Sequence, residues 1–302
     1  MINFDVIIIG AGPAGMSAAC WSAELNLSVL LIEAGNEIGG QLLWTFNPIK
    51  NHLGIETENG RQMRDVFQRQ MQNWNFETLL ETQVSSIDFR TNTLTTETSK
   101  TFTYKSLILA TGISRRKLNI PGEDKFIGNG ILESGKRDSE KVREKSVCVI
   151  GGGDAALENT LILAETARQV TLIYRGEKFR GRETFIKQIS QNSKIEVLKN
   201  TIVTEIIGED KIEGLKLKNE KEFIISTDSI IIRIGVEPNT KLYSKNIALN
   251  EAGYIKIDHN CETSLPNIFA VGDVANALSP TISSAVGMGA TAAKVIRSRI
   301  KS

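Results

Sequence analysis

Short, densely apolar runs recur along the chain, each stopped by glycine and followed by a stretch of helical spacing. The first is Phe4-Asp5-Val6-Ile7-Ile8-Ile9. Its apolar end shows no alternation of polar and apolar residues, so it reads as a strand buried on both faces. Gly10-Ala11-Gly12-Pro13-Ala14-Gly15 follows, then a helix-like run from Met16 to Leu25 and a second strand from Leu27 to Glu33. The same order returns at Ser146-Val147-Cys148-Val149-Ile150, which leads into Gly151-Gly152-Gly153-Asp154-Ala155-Ala156. A helix-like run from Leu157 to about Arg168 and a strand from Val170 to Tyr174 complete that repeat. Two further strands are predicted: Ser106 to Leu109, ending in Ala110-Thr111-Gly112, and Asn267 to Val271, ending in Gly272-Asp273-Val274. The last helix is predicted from Ala285 to Ile300.

The glycine spacing adds chemistry to this pattern. Gly10 suits the tight turn, Gly12 lets a pyrophosphate approach the backbone, and Gly15 permits close helix–strand packing. The N-terminus of the helix that follows offers free N–H groups and a positive dipole end to phosphates. In the second repeat Gly151, Gly153 and Ala156 form the G-x-G-x-x-A variant, with Asp154 and Ala155 between the last two. The positions that close the repeats differ. Gly10 leads to Glu33, an acid able to accept from a ribose hydroxyl; Gly151 leads at the same offset to Tyr174, followed by Arg175, Arg180 and Arg182. Guanidinium groups there pair with a 2′-phosphate, which a carboxylate would repel. The first repeat therefore suits FAD and the second NADPH, with NADH the alternative for a merely solvated basic loop. Asp273, after a returning strand, suits the ribityl chain or pyrophosphate of a flavin, although a helix N-cap is a common use of Asp.

Together these readings give an α/β protein with two Rossmann-like, three-layer dinucleotide-binding domains, the second inserted in the first. The flavin domain is placed at residues 1–114 and 244–302, and the NAD(P) domain at 115–243. Pro121-Gly122 and Glu237-Pro238-Asn239 are plausible crossings, since proline and glycine punctuate linkers.

Composition narrows the classes without naming a partner. The 302 residues carry 36 basic and 35 acidic side chains, a net charge of +1, so no strong field favours nucleic acid or an anionic membrane. Apolar residues at 41% and the absence of a long apolar span or a leader-like N-terminus predict a soluble, cytoplasmic protein. Cys20, Cys148 and Cys261 are widely spaced and form no C-x-x-C pair. Cys20 and Cys148 read as buried small hydrophobes, whereas Cys261 lies in a polar turn and is open to exposure. His52 and His259 are the only histidines. Both read as surface or packing residues, with His52, beside Asn51, the better candidate for a site.

These motifs resemble the low-molecular-weight thioredoxin reductases and their relatives over nearly the whole chain. The resemblance rests on Gly10 to Gly15, Gly39-Gly40-Gln41-Leu42, Ala110-Thr111-Gly112, Gly151-Gly152-Gly153, and Thr263 through Asp273-Val274. It implies a flavin site of Gly10, Gly12, Pro13, Ala14, Gly15, Glu33, Ala34, Gly40, Gln41, Leu42, Asn51, Val84, Ala110, Thr111, Gly112, Gly272, Asp273, Thr281 and Ile282. It implies an NAD(P) site of Gly151, Gly153, Asp154, Ala155, Ala156, Tyr174, Arg175, Arg180, Ile234 and Gly235. A homodimer is also implied. The family grips the 2′-phosphate through His-Arg-Arg followed by Phe-Arg. This chain has Tyr174-Arg175-Gly176 and then Phe179-Arg180, one arginine fewer.

The larger departure concerns catalysis. Where the family carries Cys-x-x-Cys-Asp, this chain reads Ser134-Gly135-Lys136-Arg137-Asp138. Serine and arginine cannot cycle between thiol and disulfide, so Ser134, Arg137 and Asp138 occupy that position without its redox function. The closest functional analogue is then the thioredoxin-reductase-like ferredoxin–NADP reductases, in which flavin exchanges electrons directly with ferredoxin or flavodoxin, in either direction. Two other readings stay open: a disulfide reductase using another thiol such as Cys20, and a flavin-binding protein with a carrier or regulatory role. Arg115-Arg116-Lys117 and Lys136-Arg137 offer a basic face to an acidic carrier, balanced by Glu123, Asp124 and Glu140 nearby.

Overall fold

A computed structural model describes residues 2–300. The chain runs through β1 (Ile2–Ile9), α1 (Pro13–Glu24), β2 (Val29–Ile32), α2 (Gly60–Met71), β3 (Glu77–Leu79), β4 (Val84–Asp88), β5 (Thr93–Thr96) and β6 (Thr101–Leu109). β7 (Ile113–Arg115) leads to β8 (Ile131–Leu132), α3 (Gly135–Asp138), β9 (Ser146–Ile150), α4 (Asp154–Thr166), β10 (Gln169–Ile173), α5 (Glu183–Ser190) and β11 (Ile195–Leu198). β12 (Ile202–Ile207), β13 (Gly214–Lys218), β14 (Glu222–Ser226), β15 (Ser229–Ile232) and β16 (Val236–Pro238) follow, then β17 (Ile268–Ala270) and α6 (Ile282–Arg299). There are two compact units. The first runs to Ser114 and resumes at Glu237; the second is Arg115–Val236.

In the first unit β1 lies between β2 and β6, all parallel, with Ile7 beside Leu30 and Leu107. β6 is shared: its first half pairs with antiparallel β5, and its second half with parallel β17. The unbroken apolar run of β1 is explained by burial on both sides. Val6 and Ile8 join Val29, Leu31 and Ile108 in one core, where α1 and α6 contribute Met16, Ala18, Ala292 and Ile296. Ile7 and Ile9 point the other way and join Leu30, Ile32, Tyr104 and Tyr243. Alternate residues of one strand thus fill two cores. The helix predicted from Ala285 begins earlier, at Ile282, because Thr281 and Ser284 form a reciprocal capping box.

The second unit repeats the plan, with β11, β10, β9, β15 and β8 in one parallel sheet. Val147, Val149 and Val170 pack with Leu157 and Leu163 of α4. Cys148, Ile150 and Ile173 face Leu215 and Leu217 of the antiparallel sheet β12–β13–β14. α4 starts at Asp154, a little before the predicted Leu157, since Gly153 is its N-cap.

The return to the first unit falls at residue 237 rather than 244. The reason is a polar knot. Asn239 donates from Nδ2 to Thr111 O at 2.7 Å, and Asn239 N donates to Gly112 O at 3.0 Å. The Tyr243 hydroxyl donates to Asn239 O at 2.7 Å while its ring, 1% exposed, fills the first unit's core. Among the described residues no helix is long and apolar enough to cross a membrane.

Candidate functional site

The first glycine turn is a close-packed backbone cradle. Gly10 has φ +102°, and a Cβ there would lie 2.4 Å from Ala110 O; a Cβ on Gly15 would lie 1.9 Å from Gly10 O. Only glycine meets both demands. Gly12 instead faces open space, with only the Gly40 Cα at 3.9 Å from its would-be Cβ. Gly39 N donates to Ala11 O at 2.8 Å, tying the Gly40-Gln41-Leu42 turn beside it. α1 begins at Pro13 with no side-chain cap and no acid in its first turn. Its free N–H groups and dipole are therefore available to a phosphate.

Glu33 closes this cradle. One carboxylate oxygen accepts from Ala11 N at 2.7 Å and the other from Gly35 N at 2.8 Å. The acid is thus held rigidly at the turn, with lone pairs left for ribose hydroxyls; Ala34 beside it is exposed. Asp273 supplies the clearest mark of a missing partner. Gly272 packs its α-carbon against Ala14, so Asp273 borders the start of α1. Its half-buried carboxyl has no hydrogen bond or ion pair among the described residues, and burial pushes its pKa above the ordinary carboxylate value. A buried polar group without a partner calls for one, and the hydroxyl-rich chain of a flavin dinucleotide fits.

Other residues of the predicted flavin set have structural duties. The Thr111 hydroxyl is tied to Asn239 O and Tyr243. Thr281 caps α6, Leu42 is core, and Ile282 packs against that core. The Val84 side chain lies in the second-face core, so only its backbone is free for a ligand. Gln41 donates to Ile113 O at 2.9 Å. Asn51 is exposed, and neighbouring His52 lies 3.0 Å from the Ser283 hydroxyl and edge-on to Phe67.

The second turn is built alike. Gly151 has φ +145°, with a would-be Cβ 2.2 Å from Arg233 O and 3.0 Å from the Ala156 Cβ. Gly153 and Gly235 have open space where a side chain would go, and Ala155 at the start of α4 is exposed. Ile234 packs against the second unit's core. The Tyr174 ring fills the space over Gly152 and stacks on Phe179 at 5.3 Å. Arg182 is also engaged: its N donates to Asp154 at 2.7 Å and its Nε lies 3.4 Å from the same carboxylate. Arg175 and Arg180 are different. Both are exposed, and their guanidinium groups have no partner among the described residues. They are the two charges available to a 2′-phosphate.

The Ser134-to-Asp138 turn is locked. Asp138 is fully buried and accepts from Glu133 N and Ser134 N at 2.9 and 3.1 Å. Arg137 Nε and Lys141 Nζ both lie 2.9 Å from it. Burial opposes its ionisation, yet Arg137, Lys141 and the two N–H groups together hold it far below the usual carboxylate range. An acid so held cannot donate a proton near neutrality. The Ser134 hydroxyl accepts from Arg137 N as the cap of α3. None of the three cysteines lies in this turn. Burial pushes Cys20 and Cys261 up to about 11 and Cys148 up to about 12. Cys261 is buried after all, at φ +64° in its turn. Cys20 lines a cavity of about 360 Å³ along α1 and α2 with Trp21, Phe67 and Trp74, which shares only Pro13 with the glycine turn. Among the described residues, no cluster of His, Cys, Asp and Glu could hold a metal ion.

Two dinucleotide cradles on parallel sheets, one closed by an acid and one flanked by arginines, define a two-nucleotide oxidoreductase. Residues 4–291 match the pyridine nucleotide-disulphide oxidoreductase family, and the chain belongs to it. The thioredoxin reductase of Listeria monocytogenes is 32% identical over 96% of this chain and 91% of its own. The bifunctional thioredoxin reductase/thioredoxin of Mycobacterium leprae is 32% identical over 96% of this chain but 64% of its own length. Among solved structures, the Lactococcus lactis thioredoxin reductase in its FR conformation aligns with a TM-score of 0.84 at 34% identity, covering 98% of both chains. That of T. acidophilum aligns at 0.81 and 30%, covering 99% of both. Proteins of this thioredoxin-reductase-like group use FAD and NADPH.

Proposed function

We propose that this chain is an NADPH-dependent FAD oxidoreductase that exchanges electrons directly with a protein carrier such as ferredoxin or flavodoxin, without a protein dithiol. The observation that carries this reading is the locked turn. Asp138 is held ionised, Ser134 and Arg137 have no redox chemistry, and the three cysteines are buried or half-buried with raised pKa values. A disulfide reductase needs an accessible thiolate, so the Cys20 alternative loses its support. Flavin, when bound, converts a hydride pair into single-electron steps. The protein's part is to hold the two nucleotides. Gly10, Gly12 and Gly15 with the start of α1 take one pyrophosphate, and Glu33 and Asp273 take hydroxyls. Gly151, Gly153 and the start of α4 take the other pyrophosphate, and Arg175 and Arg180 take the 2′-phosphate.

The basic face suggested for an acidic carrier is compensated internally only in part. Lys117 pairs with Asp124 at 2.8 Å, and Arg137 pairs with Glu133 and Asp138. Arg115, Arg116 and Lys136 have no ion pair among the described residues, so steering of the carrier rests on these charges rather than on all five. The test is stopped-flow reduction of ferredoxin, flavodoxin and thioredoxin by the NADPH-reduced protein. Rapid reduction of either carrier with none of thioredoxin supports the reading; reduction of thioredoxin alone overturns it.

A further inference from the structure

Two guanidinium groups of the second unit converge on one carbonyl oxygen. Arg115 Nη1 donates to Glu133 O at 2.9 Å, and Arg233 Nη2 donates to that same atom. Arg233 Nη1 also donates to Ile232 O at 2.8 Å. The acids bordering this point are already engaged. The Glu133 carboxylate pairs with Arg137, and Asp138 pairs with Arg137 and Lys141. Neither Arg115 nor Arg233 has a carboxylate within ion-pair distance among the described residues. A carbonyl carries only a partial charge, and the Glu133 and Asp138 carboxylates act on this pair only from beyond ion-pair distance, so the two positive charges are incompletely compensated. Burial, with the neighbouring Arg115 charge adding to it, pushes Arg233 down to about 10.

Such an arrangement is unfavourable unless something neutralises it. Each guanidinium has five N–H donors in a fixed fork. Arg115 engages one of them here and Arg233 two, leaving a set of donors that matches a carboxylate or phosphate edge-on. Arg115 is exposed, so a ligand can arrive from solvent; Arg233 is half-buried, so the attraction is less screened. Arg175 and Arg180 belong to a different loop, after β10, and are not part of this cluster. We propose that Arg115 and Arg233 form an oxyanion-binding site on the second unit, taking the carboxylate or phosphate group of a small ligand. This stands whether or not the electron-carrier reading does.

The test is calorimetric titration of the full-length, flavin-loaded protein at low ionic strength with inorganic phosphate and, separately, with malonate. R175Q/R180Q serves as the background so that the arginines proposed for the 2′-phosphate cannot hold the anion, and the R115Q/R233Q comparison separates the site from the glycine turn. Saturable binding of either anion, weakened about tenfold or more by R115Q/R233Q, supports the site, since a charge-assisted pair contributes on that scale. Which anion binds distinguishes a carboxylate ligand from a phosphate one. Should the double variant fail to fold, R115Q at the exposed position must still weaken binding several-fold. Binding of neither anion, or binding unchanged by R115Q/R233Q, overturns the proposal.

Discussion

The two glycine turns share a backbone and differ in what closes them. In the first, Glu33 is clamped to the turn by Ala11 N and Gly35 N, so its negative charge is fixed where a ribose would lie. In the second, the matching residue Tyr174 is consumed by packing over Gly152 and against Phe179. The positive charges there belong to Arg175 and Arg180, which have no protein partner among the described residues. One turn carries a fixed acid, and the other is flanked by two exposed arginines without a protein partner among the described residues. The same fold can therefore present opposite electrostatics through a few side chains at one topological position.

A second contrast runs between a buried carboxyl and a half-buried one. Asp138 is fully paired and held ionised, whereas Asp273 has no partner and is pushed toward protonation by burial. The first has the marks of a structural group and the second of a ligand-binding one.

The largest effect should come from the turns themselves. Gly15→Ala or Gly151→Ala forces a side chain to about 2 Å from a carbonyl oxygen. Each should cost about 3 kcal/mol in backbone shift and strain, read as lowered melting temperature. Gly15→Ala should also lose flavin absorbance, and Gly151→Ala nucleotide affinity; a reversed assignment would break the comparison.

Asp138→Asn leaves Arg137 and Lys141 facing a neutral amide and should destabilise the protein by about 3 kcal/mol in urea unfolding. The pH dependence has a definite sign. A carboxylate whose folded pKa is depressed stabilises the fold above its unfolded value of about 3.9, and that stabilisation is lost as pH falls toward the folded value. Wild type should therefore lose more stability between neutral pH and pH of about 3 than the D138N variant does.

Arg175→Ala with Arg180→Ala should remove about 2 kcal/mol of NADPH binding, a roughly thirtyfold rise in KM, with NADH unaffected. Equal losses for both nucleotides would show that these residues support the loop rather than read the phosphate. The smallest effect is predicted for Asp273→Asn. It should not destabilise the flavin-free protein, because a carboxyl with a raised folded pKa weakens the fold as pH rises through that pKa. It should weaken FAD binding by about 1 kcal/mol, measured by fluorescence titration of the apoprotein. Destabilisation without loss of FAD affinity would make Asp273 structural after all.

Both turns can be read from the sequence because everything they need is local: an apolar strand, glycines at fixed spacing, a helix, and an acid or base at the end of the next strand. Long-range pairings are not legible there. Asn239 reads as part of a linker, yet it ties the returning chain to Thr111 and Gly112, a bond no local pattern announces. Arg115 and Arg233 meet at Glu133 from distant segments and likewise leave no periodic trace. The three-stranded sheet β12–β13–β14 goes unread too, although its alternating Glu222–Ser226 strand carries a signal of the right period. The packing of the Tyr174 ring over Gly152 and on Phe179 is likewise not legible from its position alone.

The most direct test of the central claim is an anaerobic titration of the purified protein with NADPH, followed by its flavin spectrum. Full bleaching at one equivalent per flavin is predicted, because no second redox centre takes a further pair of electrons. Bleaching that needs two equivalents would reveal an active dithiol or disulfide and contradict the account, as would a flavin that NADPH leaves fully oxidised.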